Sequence, residues 1–151
     1  MILQETLAAV QPGLSWNHGP SGNSRCEGAG SPAGSASARR SITVLTIVSE
    51  ARRGALIGVI EREWKGRGYT ITKVRPGRET PAVYAATPEN YRLSAMVGST
   101  GQFFFDITTP CFADSPVQDP TAKPNTPVRT GPYPQRPDVH DDFWSAESPA
   151  P

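Results

Sequence analysis

The sequence predicts an α+β domain: one main helix packed on an antiparallel sheet of four to five strands, followed by a disordered, Pro-rich C-terminal tail. Three observations carry that expectation. Apolar residues recur at helical spacing between Ser49 and about Arg67. After Gly68 the pattern shifts to strand-like alternation. Beyond residue 113 no apolar period survives, and nine prolines fall between residues 114 and 151. The expected division is a folded domain over 1–113 and a tail over 114–151.

Each element has its own signal. Leu3, Leu7 and Val10 place a short helix over residues 2–11, ended by Pro12-Gly13. Residues 17–40 are dense in Gly, Ser, Asn and Pro and read as a loop, with Cys26 in its middle. "SITVLTIVS" (41–49) is β-branched and reads as a buried strand or the start of a helix. Ser49 is a plausible N-cap, with Glu50 in the first turn. The helix stripe is Ala55, Leu56, Val59, Ile60 and Trp64, and Gly68 suits the position just past the C-cap.

Four strands follow: "YTITKV" (69–74), "AVYAA" (82–86), "YRLSAMV" (91–97) and "QFFFDITT" (102–109). Alternation puts Phe103, Phe105 and Ile107 on one face and Phe104, Asp106 and Thr108 on the other. Tyr91, Leu93, Ala95 and Val97 share a face, opposite Arg92 and Ser94. Three consecutive phenylalanines therefore need not form an aromatic platform. Phe104, Asp106 and Arg92 are the candidate surface-binding residues.

Composition narrows the function classes. The 151-residue chain has a formal net charge of +1, with 12 Lys+Arg against 8 Asp+Glu in residues 1–113 and 3 against 6 in residues 114–151. That balance argues against a dedicated nucleic-acid binder. The basic residues Arg39, Arg40, Arg52, Arg53, Arg62, Lys65 and Arg67 are interleaved with Glu50, Glu61 and Glu63. No run of 18 apolar residues is present, so no membrane-spanning helix is expected. The opening "MILQETLAAVQPG" has no basic n-region and carries Glu5 in its apolar stretch, so it does not read as a signal peptide. On that reading the protein is cytoplasmic, or the true start lies upstream.

Cys26 and Cys111 are the sharpest pair. Both lie just outside the expected core elements, and no metal-type ligand sits near either, so a disulfide is expected. Two free thiols in a cytoplasmic protein are the alternative. Catalytic and metal signals are weak. His18 and His140 are the only histidines, and "HDD" (140–142) reads as a solvated cluster. No nucleophile-elbow, zinc or calcium motif appears. Neither a cofactor nor a metal is expected. A hydrolase-like or metal-assisted enzyme would have to use Asp106, Glu61 or His18. "GALIG" (54–58) reads as a close-packing stretch, and "PYPQRP" (132–137) as a spacer or a polyproline-groove ligand.

Taken together, "PGLSW" (12–16), a cysteine in a Gly/Ser-rich loop, the helix exit "REWKGRGYTIT" (62–72), "YRLSAMV" (91–97) and the terminal "TTPC" (108–111) resemble small secreted or lipid-anchored actinobacterial proteins of unknown function. The resemblance covers about residues 12–112. It implies an extracytoplasmic α+β domain whose two cysteines pair, and no catalytic residues. The expected function is a non-enzymatic secreted or envelope-associated domain that binds a protein or surface partner. A small enzyme and a weak nucleic-acid binder are the alternatives.

Overall fold

The computed structural model describes residues 2–116, 118–127, 129–133 and 135–151. Two helices pack on one face of an eight-stranded antiparallel sheet. The helices are α1 (Ile2–Ala9) and α2 (Glu50–Gly66), and the strands are β1 (Trp16–His18), β2 (Gly22–Arg25), β3 (Ser35–Val44), β4 (Thr70–Arg75), β5 (Ala82–Ala86), β6 (Arg92–Val97), β7 (Phe103–Thr108) and β8 (Phe112–Ala113). The α+β class and the four later strands match the sequence reading. The sheet is larger than expected.

Main order across the sheet is β1-β3-β7-β6-β5-β4. Strand β3 is the organising element. One edge pairs with β1 at residues 42–44 and with β2 at residues 36–39. Its other edge pairs with β7 at residues 39–44 and with β8 at residues 35–36. Half of the expected loop over 17–40 is therefore strand. "SASA" (35–38) has weak strand propensity of its own, but with partners on both sides its backbone groups are satisfied by the ladder. Tertiary pairing decides what local composition leaves open.

Helix α2 supplies the main cover. Leu56, Ile57, Ile60 and Trp64 are buried on it, together with Arg52, and it packs on β4, β5 and β6. The stripe is thus Arg52-Leu56-Ile60-Trp64 with Ile57 beside it; Ala55 and Val59 lie at its margin, only partly buried. The C-terminus closes as read from Gly68, which takes a positive φ of 79°. The Gly68 N–H donates to Lys65 O and the Tyr69 N–H to Trp64 O, the paired bonds of a Schellman motif. Ser49 stands at the N-cap, but its hydroxyl makes no cap bond and instead donates to the carbonyl of Ala146.

Helix α1 packs on α2 and β7. The indole Nε1 of Trp64, a fully buried residue, donates to Thr6 Oγ1 at 2.9 Å, which in turn donates to Ile2 O. The sheet face beneath the helices carries Ile42, Val44, Val83, Ala85, Leu93, Ala95, Val97, Phe103 and Phe105, all buried. Phe103 and Phe105 are fully buried, while Phe104 lies on the outer face, as alternation requires.

The tail corrects the sequence reading most. Among the described residues of 114–151 there is almost no regular structure, but many of them are part of the folded body. Trp144 is buried and its Nε1 donates to Pro12 O at 2.7 Å. Asp141 Oδ1 accepts from the Phe143 and Trp144 N–H groups, forming the turn that aims the tryptophan inward. Thr46 and Val139 form an isolated parallel bridge, and the Ser49 N–H donates to Trp144 O. Proline density excludes helix and central strand but does not exclude docking. Two adjacent aromatics and an Asx turn suffice to anchor an irregular segment.

Candidate functional site

The disulfide predicted from sequence is present: Cys26 and Cys111 are bonded, with Cα atoms 6.2 Å apart across 85 residues of chain. Cys26 directly follows β2 and Cys111 directly precedes β8. These strands flank β3 on opposite sides, so the bridge clamps its N-terminal half. On the chain-entropy account, closing a loop of that length contributes about 4–5 kcal/mol.

The outer face of the sheet carries the three candidate surface-binding residues. Phe104 lies across from Thr43 and Met96, Asp106 from Ser41 and Ser94, and Arg92 from Thr108. The fold does bring them to one face. Two of the three already have partners within the chain. Asp106 is buried; it accepts from the Ser41 hydroxyl and pairs with Arg39 at 3.0 Å. Phe104 meets the Tyr133 ring, with centroids 6.4 Å apart. Gly19 backs the same region: a Cβ there would approach Ser41 Cβ to 2.9 Å and the Tyr133 hydroxyl to 3.2 Å. Only Arg92 stands exposed.

Potential catalytic groups are dispersed. His18 is on β1, facing the helix side beside Ile42. Asp106 faces the other way, and Glu61 is held on α2 by Lys65 at 2.6 Å. His140 pairs with Asp142 on the exposed turn before Trp144. Among the described residues, no group of three or more His, Cys, Asp or Glu is placed to hold a metal. Several of the basic residues are engaged within the chain. Arg52 is buried, donating to Ser148 O at 2.7 Å and stacking over the Phe143 ring at 4.5 Å.

A concave site lies elsewhere, on the helix side of the sheet. Strand β3 runs for ten residues, but α2 covers β4–β6 and α1 reaches only part of β7. The N-terminal half of β3 extends past both helices. Its inward residues Ala36, Ala38 and Arg40, with Ile42, Tyr91, Ile107 and Thr109, form the floor of a groove of about 340 Å³. Ile2, Leu3 and Gln4 of α1 make one wall, and His18 and Asn23 the other. Phe112, Asp114, Pro116, Gln118 and Pro120 line its mouth. Phe112 is half exposed there, at 52%.

Polar groups sit around this apolar floor. Arg40 Nη1 donates to Ser21 Oγ at 3.2 Å, and Nη2 donates to the carbonyl of Gln118. The His18 Nε2–H donates to Ala122 O at 2.5 Å. Gln4 Oε1 is buried with no hydrogen-bond partner among the described residues. The segment crossing this end is fixed further along by Asn125, whose side-chain oxygen accepts from the Trp16 N–H and whose amide donates to Leu14 O, both at 2.8 Å. Asn125 thereby satisfies the free edge of β1 in place of another strand.

Sequence reasoning missed this groove because it depends on how far each element reaches. The alternation that put Tyr91 with Leu93, and Ile107 with Phe105, was legible. That no helix covers Tyr91 and Ile107 was not. Together, fold and site define a disulfide-tied α+β domain with one helix-covered sheet face and an open apolar groove at its end. No protein-family model, curated protein or solved structure matches the chain.

Proposed function

We propose that this chain is a non-enzymatic, extracytoplasmic binding domain, and that the groove beyond α1 is where its partner is held. The observation that carries this reading is the uncovered inner face of β3 and β7. An apolar floor with a few convergent polar groups is the usual form of a small-ligand site, and about 340 Å³ falls within the roughly 300–1,000 Å³ of such sites. The outer face is less suited, since Asp106 and Phe104 are engaged within the chain. The Cys26–Cys111 bond supports a location outside the reducing cytoplasm.

Titration with the neutral, environment-sensitive dye N-phenyl-1-naphthylamine tests the site. One dye per chain is expected to bind with enhanced emission. Ala38→Trp, which fills the floor, is expected to abolish the signal while leaving the far-UV spectrum unchanged. Dye that fails to bind, or that binds Ala38→Trp as well as the parent, counts against the groove.

A further inference from the structure

We infer that the groove takes an alkyl carboxylate, with its chain along Ile42, Tyr91, Ile107 and Phe112 and its carboxylate on Arg40. This rests on the groove being the binding site and adds the chemical class of the ligand.

Charge complementarity is the first ground. Arg40 is a half-buried floor residue whose two hydrogen bonds go to neutral acceptors, the Ser21 hydroxyl and the Gln118 carbonyl. Among the described residues no carboxylate pairs with it, whereas neighbouring Arg39 pairs with Asp106, Arg67 with Glu5 and Glu63, and Arg129 with Asp138. A guanidinium against an apolar surface is poorly solvated, and a carboxylate is the partner its planar fork fits best. Of the other charged or titratable groups at the groove, Asp114 accepts from the Asn23 amide at 3.2 Å and the His18 Nε2–H is given to Ala122, while Tyr91 lines the floor.

The second ground is independent. Gln4 Oε1, on the α1 wall, is a buried acceptor without a donor among the described residues. An unmet acceptor of this kind costs free energy that a polar group on a bound molecule can recover. Size sets the third constraint. A groove of about 340 Å³ accommodates a single alkyl chain and not a bilayer surface. The ligand is therefore a single molecule in solution.

The test displaces N-phenyl-1-naphthylamine with dodecanoate, and with dodecanol as the uncharged control of equal chain length, both below their aggregation concentrations. The parent protein is expected to favour dodecanoate over dodecanol by about tenfold or more, the range of one charge-assisted contact. Arg40→Gln is expected to erase that preference by weakening dodecanoate alone, and Arg40→Lys to keep part of it. Thermal melting and retention of the disulfide check that the variants fold. Should Arg40→Gln not fold, the parent's discrimination between the two probes still decides. Equal displacement by acid and alcohol overturns the carboxylate assignment while leaving the groove in place. So does tight binding to anionic lipid vesicles with no displacement by monomeric dodecanoate. Absence of dye binding removes both readings.

Discussion

The indole of Trp144 donates to the carbonyl of Pro12, joining the end of the chain to the turn that follows its first helix. Trp144 is 1% exposed and also packs at 4.8 Å, edge to face, against Phe143. A residue seven positions from the end of the chain is thus a core residue. Trp144→Ala is expected to destabilise the protein by about 3–5 kcal/mol, the usual cost of deleting a buried large aromatic. Urea denaturation measures it. Truncation after Ala113 is expected to cost at least as much, because Phe143, the Arg52 contacts and the Val139 bridge go with it. A truncated chain that melts like the parent would show that the tail does not contribute.

Trp64 anchors the opposite side of the core. Its ring is fully buried and its Nε1 is satisfied by Thr6. Trp64→Ala is expected to lose about 3–5 kcal/mol, and Thr6→Val about 1–3 kcal/mol by leaving the indole donor unmet. Phe104→Ala, which removes a partly exposed ring touching Tyr133, is expected to cost much less than Trp64→Ala. Chemical denaturation of the three variants sets their order, and a Phe104→Ala loss equal to that of Trp64→Ala would reverse the assignment of sheet faces.

The Cys26–Cys111 bond holds β2 and β8 against opposite edges of β3. The native protein is expected to resist alkylation without reductant and to be lighter than its reduced form by two thiol hydrogens, as read by mass spectrometry. Replacing both cysteines with serine is expected to cost about 2–5 kcal/mol. Two thiols that alkylate freely in the native state would contradict the bond.

Gly19 is fixed by close approach and not by a turn. Any Cβ at that position meets Ser41 Cβ at 2.9 Å. Gly19→Ala is expected to destabilise by about 1–3 kcal/mol through overpacking. Gly13→Ala, where nothing lies within 4 Å, serves as the control and is expected to be close to neutral. A similar thermal midpoint for both variants would mean that the outer face yields easily.

Local chemistry in the sequence determined the α+β class, both helices, the four later strands and the split of the phenylalanine triplet. Helical spacing through Leu56, Ile60 and Trp64, alternation through Phe103–Ile107, and the positive-φ preference at Gly68 each depend on near neighbours in the chain. The cysteine pair was legible because a tethered cysteine made more sense than a free one in a soft segment. Tertiary structure decided the rest. Ser35–Ala38 becomes strand only because β2 and β8 pair with it from both sides, and Trp144 becomes core only because Pro12 and Phe143 meet it. The groove exists because β3 outruns the helices, a difference in length between elements far apart in sequence. Arg40 could be read as basic from its identity alone. That it faces an apolar hollow without a carboxylate partner among the described residues follows from which strands and which tail residues surround it, and long-range pairing alone specifies those.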